Sequence, residues 1–106
     1  MPKYLLAASY TLEGLKGLKT DGGSGRVAAV KEATEAAGGK IESMYFAFGE
    51  YDVYIIADYP DNTTAAGVSL AVAGTGAVNV RTVVLLTAAE VDAAVKAKST
   101  YRPPGH

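Results

Sequence analysis

The sequence predicts an α+β fold in a single domain, residues 1–106, with one four-stranded sheet covered by helices on one face. Three observations predict it. Four short apolar segments have strand character. Helical patterns opened by Thr or Asp and closed by glycine lie between them. The order of these elements is βαββαβ, followed by a last helix. A chain of 106 residues is the usual size of one compact domain.

The first strand is expected at Lys3 to Tyr10, apolar at nearly every position and aromatic at both ends, which suits burial on both faces. Thr11 is an N-cap candidate for a short helix with Leu12, Leu15 and Leu18 at spacing three. Gly14 and Gly17 weaken that helix by about 1 kcal/mol each relative to alanine. Asp21 to Gly25 reads as a loop, and a second helical stretch runs from Arg26 to Ala37 with Val27, Val30, Ala33 and Ala37 as its apolar stripe. Gly38-Gly39 stops it. Ile41 to Phe48 and Val53 to Tyr59 form a hairpin around Gly49-Glu50-Tyr51-Asp52. Asp61 to Thr64 supply caps for a helix to about Gly74, rich in small residues that let it approach a sheet closely. Val78 to Leu86 is the fourth strand. Thr87-Ala88-Ala89-Glu90 is a capping-box pattern that opens the last helix, to about Lys98. Residues 99–106, with Pro103-Pro104, read as an extended tail.

This order is the split-βαβ, ferredoxin-like arrangement. Strands one and three are expected in the centre, parallel to each other, with two and four at the edges. Helices would cover one face and leave the other open. Tyr45, Tyr54, Val83 and Leu85 would enlarge that open face beyond the patch a monomer usually exposes. At ~25 cal/mol per Å2, leaving it wet forfeits many kcal/mol. A second copy is therefore expected to cover it, making a dimeric α/β barrel. The alternative is that the chain's own last helix folds back over it.

Composition removes several function classes. The net charge is −1, without the basic excess of a general nucleic-acid binder. The absence of cysteine excludes disulfides, thiolate nucleophiles and cysteine-held metal clusters. The single histidine, His106, is the last residue, so no metal site or cofactor is expected. No apolar run approaches the roughly 20 residues of a membrane span. The first strand begins at once, without a signal-peptide pattern, so a cytoplasmic protein without membrane contact is expected.

The segment Met44 to Val53, which contains Gly49, Tyr51 and Asp52, resembles the signature of the GYD-domain family. Lys3-Tyr4-Leu5, Ser9-Tyr10-Thr11, Glu13 to Leu18, Arg81-Thr82 and Tyr101 to Gly105 are also similar to it. The resemblance spans essentially the whole chain and implies a fold similar to that of the dimeric α/β-barrel proteins. It implies no established activity.

The candidate ligand-binding groups are Tyr10, Tyr45, Tyr51, Asp52 and Arg81. At the hairpin, Gly49 can permit a positive φ and Asp52 can bond turn amides, with Tyr51 as a packing ring. Alternatively, Asp52 beside a tyrosine hydroxyl orients a small polar ligand or accepts a proton. Arg81, within an apolar strand, needs a partner if it is buried. Asp58 is the ion-pair candidate, and the alternative is an anchor for a carboxylate or phosphate. Helix N-termini after Thr11 and Asp61 are expected at that same end, with Tyr10, as an anion pocket. Parallel central strands would put Tyr51 and Asp52 roughly 20 Å from Tyr10 and Arg81, so that only a partner subunit could join them. Gly22 to Arg26 lacks the Gly-Lys-Ser/Thr of a phosphate loop and reads as a flexible connection. Three functions fit these residues: a small-molecule-binding homo-oligomer, a cofactor-independent monooxygenase or isomerase on an aromatic or enolic substrate, and an assembly or PII-like regulatory oligomer. A dimer is favoured, with trimer and hexamer as the other states.

Overall fold

A computed structural model describes residues 1–106. The elements are β1 (Lys3–Tyr10), α1 (Leu12–Ala36), β2 (Lys40–Phe46), β3 (Val53–Asp58), α2 (Asn62–Ala73), β4 (Val78–Leu85) and α3 (Ala88–Lys96). The fold is α+β and ferredoxin-like, with the sheet order β2-β3-β1-β4. Every neighbouring pair is antiparallel, including the central pair β1 and β3. The expectation of parallel central strands is therefore wrong. In a βαββαβ chain each helix returns the chain to run parallel with the strand before it, so β2 parallels β1. The hairpin then reverses β3.

Alternation along the strands divides the two faces. Tyr4, Leu6 and Ala8 of β1 and Val53, Ile55 and Ala57 of β3 point toward the helices and are buried. Tyr59 completes this core, its ring 5.8 Å from that of Tyr4, whose hydroxyl donates to Asn62 Oδ1. Burial holds the Tyr4 hydroxyl above the ordinary tyrosine range, with Asp61 adding to the effect. A bulge between Ile41 and Ser43 brings both Ile41 and Met44 to the helix side, beside Ala57 and Ile55. Strict alternation from the sequence puts those two residues on opposite faces.

Helix α1 is longer than expected. The predicted loop at Asp21 to Gly25 is absorbed into it, reduced to a kink at Gly22 (φ 72°, ψ 172°). Glycine adopts that conformation without steric cost. The Leu12, Leu15 and Leu18 stripe is not a core stripe: Leu12 and Leu15 are exposed, and Gly14 is the buried residue there. A Cβ on Gly14 would lie 2.1 Å from the Ala77 carbonyl oxygen, so glycine lets α1 cross the start of β4. Thr11 caps the helix, accepting from the Gly14 N–H and donating to the Gly76 carbonyl. Helix α2 lies against β4, where the Ser69 and Thr82 hydroxyls meet at 2.7 Å.

Helix α3 carries the expected capping box, with Thr87 N–H donating to Glu90 and Glu90 N–H to the Thr87 hydroxyl. All its residues are exposed. It does not fold back over the open sheet face, which rules out that alternative within one chain. A compact chain of this length has a radius of gyration of about 13 Å. The value here is 16.8 Å, over a longest dimension of 56 Å.

Candidate functional site

The sheet is wider than its helix layer can fill. Helix α1 packs over β2 and α2 over β4, leaving a gap above the central strands. A cavity of about 130 Å3 occupies that gap. Its floor is Leu6, Ala8, Val53 and Ile55, and its walls are Ala29, Val30 and Ala33 of α1 with Val68 and Val72 of α2. The small side chains of Ala8 in the floor and of Ala29 and Ala33 in the α1 wall leave the space unfilled. Ala29 and Ala33 line it while remaining exposed, so it opens between the helices. Its polar lining is limited to Arg26, Thr34, Ser69 and the tyrosine rings of Tyr10 and Tyr59.

Toward the kink of α1 the cavity meets a polar vestibule. Tyr10, Arg26, Val72 and Val78 border both spaces. The vestibule adds Glu13, Gly17 and Asp21 of α1 with Thr75 and Ala77. Arg26 is half-buried, and its guanidinium stands 3.9 Å from the Asp21 carboxylate across the kink. Gly25 makes room for this approach, since a Cβ there would press on the Asp21 Cβ at 3.2 Å.

The sequence candidates do not gather in one place. Tyr10 lies on the helix side, at the junction of cavity and vestibule. Asp52 is not remote from it: the Tyr10 N–H donates to Asp52 Oδ2 at 2.7 Å. The expected separation of about 20 Å disappears because β1 and β3 run in opposite directions. Asp52 also donates its N–H to the Ala8 carbonyl and accepts from the Ala47 N–H. It ties the end of β1 to the hairpin, adding a rung beyond the last backbone pair, Ala8 with Val53. Gly49 lacks the expected positive φ, and nothing stands where its Cβ would be. Strand β2 ends at Phe46, so the connection is longer than the four residues expected.

Tyr45, Tyr51 and Arg81 lie away from the cavity. Tyr45, Tyr54, Ala7 and Arg81 form one cross-strand row on the open face. Tyr51 packs edge-on against Tyr54, with ring centroids 5.8 Å apart. Arg81 is exposed and does not pair with Asp58. Asp58 instead accepts from Lys3 at 3.1 Å, and Lys3 also meets Glu42 at 3.3 Å. These two carboxylates hold the Lys3 ammonium above its ordinary range, Asp58 most strongly. The expected anion pocket between two helix N-termini does not form either. Thr11 follows one end of β1, whereas Asp61 follows the end of β3 that pairs with Lys3, at the opposite end of the strands. Arg26 is a site residue that the sequence does not single out: the glycine-rich segment before it reads as a flexible connection, and only the kinked but continuous helix brings it back to Asp21.

An antiparallel sheet with helices on one face, and a cleft left open between the two layers, defines a ferredoxin-like α+β domain. The chain belongs to the GYD domain family, whose model matches residues 4–95. The match takes in the Gly49-Tyr51-Asp52 turn and both walls of the cavity. No curated protein and no solved structure matches it. No helix is long and apolar enough to cross a membrane.

Proposed function

We propose that this protein is a small-molecule-binding homodimer whose ligand sits between the sheet and the helices of each subunit. The cavity above the central strands carries this reading. An apolar cavity of about 150 Å3 accepts a benzene-sized molecule, and this one, open between the helices, is of that order. No carboxylate and no imidazole lines it. Its hydroxyls and single guanidinium suit recognition better than proton abstraction, so binding is favoured over monooxygenase or isomerase chemistry.

The open face supports the second copy. Its central row is Ser43, Ile56, Leu5 and Val83, flanked by the row of Tyr45, Tyr54, Ala7 and Arg81. Tyr45 is 73% exposed, and Tyr54 and Val83 are each 39% exposed. Full burial of an exposed apolar side chain contributes about 1.5–3 kcal/mol, and a partly covered one the remaining fraction of that. Sedimentation at micromolar concentration should give a dimer, and Ile56→Lys should give a folded monomer. A folded wild-type monomer would overturn the dimer, and a trimer would move the protein to the regulatory-assembly reading.

A further inference from the structure

Resting on the reading of the cavity as a binding site, we infer that its ligand is a free α-amino acid with a small apolar or aromatic side chain. The order of chemistry along the cleft points to it. Innermost is the apolar cavity, with room for a ring or a branched aliphatic group. At its edge stands one guanidinium, Arg26. Beyond that, in the vestibule, are two carboxylates, Glu13 and Asp21. An apolar body with an anion next to it and a cation outermost is the complement of that series. In an α-amino acid one carbon carries all three groups.

The helix places these charges together. Glu13, Gly17 and Asp21 are spaced by four and share one face of α1. Gly17 has open space where a Cβ would be, leaving room between the two carboxylates. The kink at Gly22 then brings Arg26 back toward that face. Arg26 and Asp21 are loosely engaged at 3.9 Å, longer than a direct hydrogen bond. Arg26 is thus free to take a ligand carboxylate in its two-pronged geometry. Asp21, the carboxylate beside Arg26, then receives the ammonium, with Glu13 about two turns further out. A purely anionic ligand would have to pass both carboxylates, and a purely cationic one would leave Arg26 without a new partner. A zwitterion meets both members of the Arg26–Asp21 pair.

The test is a titration of the full chain, followed through the methyl resonances of Leu6, Ala8, Val53 and Ile55. The probes are L-leucine, L-phenylalanine, 4-methylpentanoate, 3-methylbutylamine and toluene. At least one amino acid should bind at least about tenfold more tightly than both 4-methylpentanoate and 3-methylbutylamine. Arg26→Gln and Asp21→Asn should each weaken amino-acid binding about tenfold more than they weaken toluene binding. Equal binding of either single-charge analogue would overturn the inference. So would variants that lose stability but keep wild-type amino-acid affinity, since the pair would then only brace the kink. A response to toluene with none to the amino acids refutes the amino-acid inference and leaves the cavity reading standing. Silence toward every probe, toluene included, refutes both.

Discussion

Asp52 separates a structural role for the family's turn from a chemical one. Its carboxylate accepts the Tyr10 N–H at 2.7 Å, where the β1–β3 ladder has run out of backbone partners. Replacing it with alanine leaves that N–H, half-buried at the sheet edge, without an acceptor. A hydrogen bond to a charged group contributes about 1.5–3 kcal/mol. Asp52→Asn keeps an acceptor oxygen but loses the charge, so about half that loss is expected. The entropy of unfolding is ~2.1 cal/mol/K per residue, or roughly 220 cal/mol/K for 106 residues. Each kcal/mol then moves Tm by about 4.5 °C, and Asp52→Ala should melt about 7–14 °C below wild type. The assay is thermal and urea unfolding at one fixed protein concentration, which keeps any dimer contribution common to all variants. The structural account is refuted if Asp52→Ala unfolds within ~0.5 kcal/mol of wild type, the ordinary range of a neutral surface change. A loss of ligand binding in that same stable variant would make the carboxylate a ligand contact.

Gly14→Ala should be among the most damaging single changes, because its Cβ would sit 2.1 Å from the Ala77 carbonyl oxygen. Forced overpacking costs about 1–3 kcal/mol or more, and urea unfolding should show it, whereas Gly17→Ala, with open space around it, should not. Gly49→Ala should leave stability within ~0.5 kcal/mol, since neither a positive φ nor a close neighbour requires glycine there. In acid, the Asp61 carboxyl matters. The Thr64 N–H it accepts holds it below its ordinary value of 3.8. A depressed folded-state value means that its stabilisation is complete above the ordinary carboxylate range and disappears as pH falls through the folded value. The stability gap between wild type and Asp61→Asn should therefore close with acidification, and a gap constant with pH would contradict the cap. Lys3 has the opposite sign. Its raised value makes its contribution complete below 10.5 and lost as pH rises through the folded value, so Lys3→Met should narrow the difference only in strong alkali.

What could be read directly from the sequence was local. Short apolar runs bounded by turn residues marked all four strands, and Thr11, Asp61 and the Thr87–Glu90 box marked helix starts, because caps and apolar runs are written within a few neighbouring residues. The placement of Tyr45, Tyr54, Val83 and Leu85 on one open face followed from the strand period of two. The candidate site was less legible. Asp52 meeting Tyr10, Asp58 choosing Lys3 over Arg81, and Arg26 closing on Asp21 all depend on strand direction, register or a kink. The Glu42 bulge, which turns Ile41 and Met44 to one side, has no marker in the chain. Sequence alone determined the strands, the caps and the open apolar sheet face, but not the continuity of α1 or the face it buries. The tertiary structure decided which distant side chains meet, because one reversal of strand direction exchanges the ends of the sheet at no change in local propensity.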